Sequence, residues 1–142
     1  VKMNAKTGTH RGGLIGLTVI VLFTLSSIGY GEEGPVRAYY ADGQLKSEMT
    51  YENGKPEGVI KYYYKNGQLK SEMTYENGKP AGQARQYYEN GQLQQEAVYK
   101  DGNMEGQLKE YYENGQIRFD AVIRDGKYEG EVKKYDENGN LK

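Results

Sequence analysis

The chain has 142 residues, with nineteen Lys and Arg against twenty Asp and Glu and a formal net charge of −1 at pH 7. That balance supplies no basic excess for a polyanion such as nucleic acid, or for an anionic lipid surface. There is no cysteine and no tryptophan, and the single histidine, His10, precedes the repeated region, which therefore cannot assemble a disulfide framework, a thiolate or imidazole metal site, or a Ser/His/Asp or Cys/His nucleophile; we expect no enzyme activity and no cofactor.

The first predicted element covers residues 1–31. Lys2, Lys6 and Arg11 lead into an uncharged run from Gly12 to Gly31, with an apolar centre from Leu14 to Leu25 and the small residues Ser27, Gly29 and Gly31 behind it. A basic start, an apolar centre and small residues near a cut predict a helical secretory signal peptide. Since the twenty residues from Gly12 to Gly31 match the span of a bilayer, the alternative is an uncleaved N-terminal membrane anchor. On either reading the rest of the chain is expected outside the cytoplasm, whether secreted, periplasmic or anchored in the envelope. Without this segment sixteen basic and twenty acidic side chains remain, a net charge of −4.

The stretch GQLKSEMTYENGKP then occurs twice, unchanged, at residues 43–56 and 67–80, a step of 24 residues that continues through degenerate copies to the end of the chain. Self-similarity at a fixed period is the signature of a repeat array. The units are 34–57, 58–81, 82–105 and 106–129, with a half unit at 130–142. Inside the second unit, Asn66-Gly67 between alternating runs predicts a two-residue hairpin turn with both residues at positive φ. This folding places Tyr64 opposite Leu69, Tyr63 opposite Lys70, Tyr62 opposite Ser71, Lys61 opposite Glu72 and Ile60 opposite Met73. The same rule pairs Tyr40 with Leu45, Arg37 with Glu48 and Val36 with Met49. It also pairs Tyr88 with Leu93, Arg85 with Glu96 and Ala84 with Ala97, then Tyr112 with Ile117, Lys109 with Asp120 and Leu108 with Ala121. Base meets acid and apolar meets apolar in every unit, which specifies the register.

A second set of turns, Asn53-Gly54, Asn77-Gly78, Asp101-Gly102 and Asp125-Gly126, joins one hairpin to the next. The expected fold is an all-β, elongated antiparallel meander, with no helical stripe after Gly31. One face should be packed, carrying Tyr64, Leu69, Ile60, Met73 and Tyr75 with their equivalents. The other carries a column of Tyr39, Tyr63, Tyr87, Tyr111 and Tyr135 beside a basic column of Arg37, Lys61, Arg85, Lys109 and Lys133. Phenols beside cations suit sugars, peptides or a sheet edge, so this is the candidate interaction face; the same residues also read as cross-strand pairs that stiffen a thin sheet. The strand expected over 131–135 offers a further edge to a partner or a second copy.

The pattern G-x-x-x-x-Y-Y-x-N-G-x-L-x-x-E-x-x-Y-x-[ND]-G-x-x-x-G runs through GVIKYYYKNGQLKSEMTYENGKPAG (58–82) and, with small departures, GQLKEYYENGQIRFDAVIRDGKYEG (106–130). It resembles the bacterial variant of the MORN repeat, and also the YwqK-type antitoxin family built of such repeats. The resemblance covers residues 34–142 and implies a β-hairpin array with roles in protein association and, in some members, membrane contact. The function it implies is a non-catalytic, exported scaffold for protein–protein interaction, its partner a protein, a toxin or a second copy. The alternatives are an antitoxin or immunity protein that binds and neutralises a toxin, and a cell-wall glycan-binding module.

Overall fold

Two kinds of turn alternate along the chain, and together they fold it into a ribbon of strands. The computed structural model describes residues 33–142; the helical segment expected over 1–31 lies outside them. Among the described residues the strands are β1 (Gly34–Tyr39), β2 (Leu45–Glu52), β3 (Lys55–Tyr63), β4 (Leu69–Glu76), β5 (Lys79–Tyr87), β6 (Leu93–Lys100), β7 (Asn103–Tyr111), β8 (Ile117–Arg124) and β9 (Lys127–Lys134). Each pairs antiparallel with its neighbours in sequence, so the order in the sheet is the order in the chain. One open, nine-stranded meander results.

The turns after the even strands β2, β4, β6 and β8 are two-residue loops. Asn53, Asn77, Asp101 and Asp125 sit at φ 50 to 51 and the glycines that follow at φ 69 to 86, the pairing of positive φ values that matches the twist of a hairpin. Asn and Asp reach this region because a short polar side chain tolerates it.

The turns after the odd strands are built differently, and here the expectation is corrected. Asn66 does not take positive φ; only Gly67 does, at 83. The Gly67 N–H donates to Tyr64 O (2.9 Å) and the Tyr64 N–H to Gln68 O (2.8 Å). Asn66 Oδ1 accepts the Gln68 N–H (2.9 Å), a side-chain turn that holds Asn66 out of the left-handed region. The loop takes up one residue more than a two-residue turn, and the ladder absorbs it as a bulge: Tyr62 pairs with Ser71 and Tyr63 with Leu69, leaving Lys70 unopposed. The expected pairs Tyr64 with Leu69 and Tyr63 with Lys70 are therefore replaced, and likewise Tyr39 pairs with Leu45, Tyr87 with Leu93 and Tyr111 with Ile117. Leu69 and its equivalents share a face with the Tyr63 column, not with Ile60. Beyond the bulge the predicted register holds: Lys61 meets Glu72 and Ile60 meets Met73.

The core lies on one face. Its buried apolar residues are Met49, Ile60, Ala84, Ala97, Leu108 and Ala121, each next in sequence to a charged residue that points the other way. Ile60 meets Met73, Met73 meets Ala84, Ala84 meets Ala97 and Ala97 meets Leu108, so the column is continuous. No second layer covers it among the described residues. Tyr51, Tyr62, Tyr75 and Tyr99 flank it on the same face, and burial pushes the Tyr62 phenol up to about 12 and those of Tyr75 and Tyr99 upward.

Each repeat is also tied to the next by the tyrosine that follows its first strand. The hydroxyls of Tyr40, Tyr64, Tyr88 and Tyr112 donate to the carbonyls of Tyr63, Tyr87, Tyr111 and Tyr135 at 2.7 to 2.8 Å, each bond contributing about 1 kcal/mol.

Because Asp101 and Asp125 already occupy the φ of Asn77, Asn77→Asp should leave the urea midpoint unchanged. Asn77→Val places a β-branched residue at φ 51 and should cost about 1–2 kcal/mol; equal midpoints for the two variants would contradict this account of the turn.

Candidate interaction surface

Side chains alternate across a sheet and paired residues share a face, so the register alone builds the surface opposite the core. Arg37 meets Glu48, Glu48 meets Lys61, Lys61 meets Glu72 and Glu72 meets Arg85. Arg85 then meets Glu96, Glu96 meets Lys109, Lys109 meets Asp120 and Asp120 meets Lys133. One row thus runs across all nine strands with the sign of charge alternating at every step. The basic column predicted from sequence is one half of this ladder. The missing half is the carboxylates of the even strands, which were legible as cross-strand partners within each hairpin but pair with the following hairpin as well.

Ion pairs follow the ladder: Arg37 Nε lies 3.5 Å and Lys61 Nζ 4.0 Å from Glu48, and Arg85 lies 3.5 Å from Glu72 and 4.0 Å from Glu96. At such exposures each is worth little by itself. Gln107 Nε2 donates to Asp120 Oδ1 (3.1 Å), and Lys133 Nζ stands 3.9 Å from Glu131.

The tyrosine column runs beside the ladder and is fastened to it. Tyr63 Oη donates to Glu48 Oε1 (2.8 Å), Tyr87 Oη to Glu72 Oε1 (3.0 Å) and Tyr111 Oη to Glu96 Oε1 (2.7 Å). A carboxylate of one hairpin therefore holds the phenol of the next, a link fifteen residues long that the within-hairpin pairing did not reveal. Tyr39 is 58% exposed. Tyr135 joins the array through its backbone, donating its N–H to Arg118 O (2.9 Å).

These bonds move the titrations. The Tyr63 hydroxyl, with help from Lys61 and Arg37, holds the Glu48 carboxyl below its ordinary 4.5. Burial first, then the neighbouring carboxylate, pushes Tyr63 and Tyr111 up to about 12 and Tyr87 upward.

On the far side of the ladder lies a third row, in which Val59 pairs with Thr74, Gln83 with Val98 and Gln107 with Val122. The three valines are 36% to 47% exposed, and with Tyr39 they make four of the six exposed large hydrophobic residues described. Sequence periodicity did not single them out, because an isolated β-branched residue is unremarkable in a strand. A shallow hollow of about 180 Å³ opens here among Gln83, Glu96, Val98 and Gln107, less than a small-molecule site encloses. Among the described residues no cluster of His, Cys, Asp or Glu is arranged to hold a metal ion. On the core face, Arg118 binds Glu110 through Nη2 at 2.7 Å and Nε at 3.2 Å, a pair that sequence reading missed because it joins a bulge residue to the row beside it.

The family model described as MORN repeat variant matches residues 32–53, 56–79, 80–101, 104–122 and 128–142. No curated protein matches the chain. Among solved structures the chain is similar to part of an S. aureus TarM mutant in complex with fondaparinux, alpha-GlcNAc-glycerol and UDP, at 12% identity and TM-score 0.44 over 67% of this chain and 19% of that one. It is also similar to part of the accessory secretory protein 1, 2 and 3 structure of Streptococcus pneumoniae, at 14% identity and TM-score 0.40 over 68% and 18%. A GtfA/B complex bound to UDP and GlcNAc gives 14% identity and TM-score 0.33 over 79% and 22%. The chain spans about a fifth of the length of these structures.

Glu48 contributes stability through a depressed pKa, so its share is present above pH 4.5 and lost as pH falls through the folded value. Tyr63→Phe removes the largest cause, and a carboxyl NMR titration should show Glu48 rising toward 4.5; an unmoved Glu48 would sink this assignment. At the alkaline end, Tyr62, Tyr63 and Tyr111 stay protonated up to about 12 against an ordinary 10. Their share is whole below pH 10 and lost as pH rises through about 12, so tyrosinate absorbance of the folded chain should lag that of the chain in urea. Coincident curves would contradict it.

Proposed function

From a chain that belongs to the MORN repeat variant family, we propose a non-catalytic, exported repeat scaffold that holds another protein on its ladder-bearing face. Repeats of this family commonly mediate protein or membrane-lipid interactions. Between these, the absence of a basic excess favours protein, since an anionic bilayer is met by clustered Lys and Arg rather than by alternating charge. Export is supported by Lys2, Lys6 and Arg11 ahead of an apolar run.

The observation that carries the reading is how the polar groups of this face are used. Its carboxylates, cations and phenols recur once per repeat and are engaged with one another, instead of converging on a point where a reacting atom would sit. What stays open to solvent is a regular array flanked by exposed valines, a surface for binding and not for turnover. If the molecule held is a toxin, the same scaffold acts as an antitoxin or immunity protein of the YwqK type.

The test is photo-crosslinking of the full-length chain in its native cells, with the reactive side chain placed at Val98 on the ladder face or at Tyr128 on the core face, followed by mass spectrometry of the adducts. A discrete protein adduct from position 98 and none from position 128 is expected. Wall glycan as the adduct, or no adduct from either position, would overturn the proposal, and a toxin as the adduct would select the neutralising form.

A further inference from the structure

We propose that the ladder face is self-complementary and that a second copy of this chain packs on it face to face, about a two-fold axis parallel to the strands that passes between β4 and β5. The inference rests on the scaffold reading above and names its partner.

It follows from the alternation of charge. An axis parallel to the strands reverses strand order in the second copy but lays each row on its own counterpart. Were the axis to run along a strand, every strand would face one an even number of places away, and like charges would meet across the whole row. An axis between two strands shifts the facing by an odd number, and every charge meets its opposite. Surfaces with such potentials select their orientation, because the misplaced alternatives are repulsive.

The valine row chooses among the odd placements. With the axis between β4 and β5, Val59 faces Val98, and Val122 faces Pro35, which lies two residues before Arg37 on the same face of β1 and pairs with Thr50, so all three exposed valines of that row meet apolar surface. With the axis between β5 and β6, Val98 would face Gln83. The β4/β5 axis also sets Lys61 against Glu96 and Arg85 against Glu72, and it engages eight of the nine ladder positions, leaving Lys133 outside. Strands spaced about 4.8 Å apart, carrying three rows about 7 Å apart, present on the order of 700 Å² per copy, close to the roughly 800 Å² per partner of a standard stable interface.

The absence of cysteine from the natural chain makes introduced thiols unambiguous probes. Sheets packed face to face stand about 10 Å apart, too far for a disulfide but within reach of a short bis-maleimide. Full-length Val59→Cys and Val98→Cys chains, mixed in equal amounts, should crosslink to each other, while each variant alone crosslinks little, because its own copies lie three strands apart across the axis. Sedimentation of the unsubstituted chain should give twice the chain mass. Val98→Lys should reduce it to a monomer with an unchanged circular dichroism melt, whereas Tyr128→Lys on the other face leaves the dimer intact.

A monomer at every concentration, or crosslinking that does not depend on the pairing of positions, would overturn the second copy as partner. The two proposals part at that point. A monomer that still captures a discrete protein from position 98 in cells keeps the scaffold and removes the dimer; a monomer that captures none removes both.

Discussion

Strand register is the constraint on which the rest of this molecule depends. Side chains along a strand alternate between faces, so a slip of one residue between any two strands would carry the core column to the outside and bring ladder charges onto the apolar face. Two kinds of pair oppose the slip at every step. Ile60 against Met73 and Ala84 against Ala97 hold the apolar side, and Lys61 against Glu72 and Arg85 against Glu96 hold the polar one. Each pair is worth only about 0.2 to 1 kcal/mol, but a slip forfeits all those along the affected strand together. Among the described residues the sheet is a single layer, with no second sheet or helix to fix the alignment.

The two turn types serve that register in different ways. At Asn77-Gly78 the chain reverses in two residues between the paired Glu76 and Lys79, and the irregularity lies further along, where Tyr75 pairs with Pro80 but Met73 with Ala84. At Asn66-Gly67, the same dipeptide, the reversal takes an extra residue and the ladder bulges at Lys70. At the first site Gln68 offers its N–H to Asn66 Oδ1; at the second the Asn77 N–H is held by Glu57 (2.7 Å) of β3, while Asp101 takes the same φ with Ala81 in the place of Glu57. A dipeptide rule sees identical letters at both sites and cannot register a contact twenty residues away.

Strand order, hairpin pairing and the identity of the core column follow from period-two alternation within each 24-residue unit, and they appear as expected in the strands on both sides of Asn66-Gly67. The placement of Leu69 does not, because a bulge changes the face of a residue without changing its letter. On the candidate surface, the tyrosine and basic columns lie where their spacing put them. Their bonds to Glu48, Glu72 and Glu96 were hidden, since those bonds join a strand of one hairpin to a strand of the next and the carboxylates had been assigned to partners within their own hairpins. The exposed valines were hidden for another reason: exposure in a single-layer sheet depends on the height of neighbouring side chains, and Thr74 or Gln83 screens a valine less than a second layer would.

The two faces consequently differ in what they have left to offer. On the core face, large phenols crowd a column of medium and small side chains, and the apolar demand is met within the copy. On the other face every ladder charge between the end members Arg37 and Lys133 has two opposite neighbours in its own sheet and remains partly open to water above. Such a row, five bases against four acids, is nearly balanced yet strongly patterned, so it resists indiscriminate apolar contact while accepting a surface whose pattern matches. An array that repeats unit by unit extends this selectivity with its length, because each added hairpin contributes one more basic and one more acidic position in the same register. For that reason the recurrent ladder, more than any one residue in it, is the feature of this chain on which recognition can act.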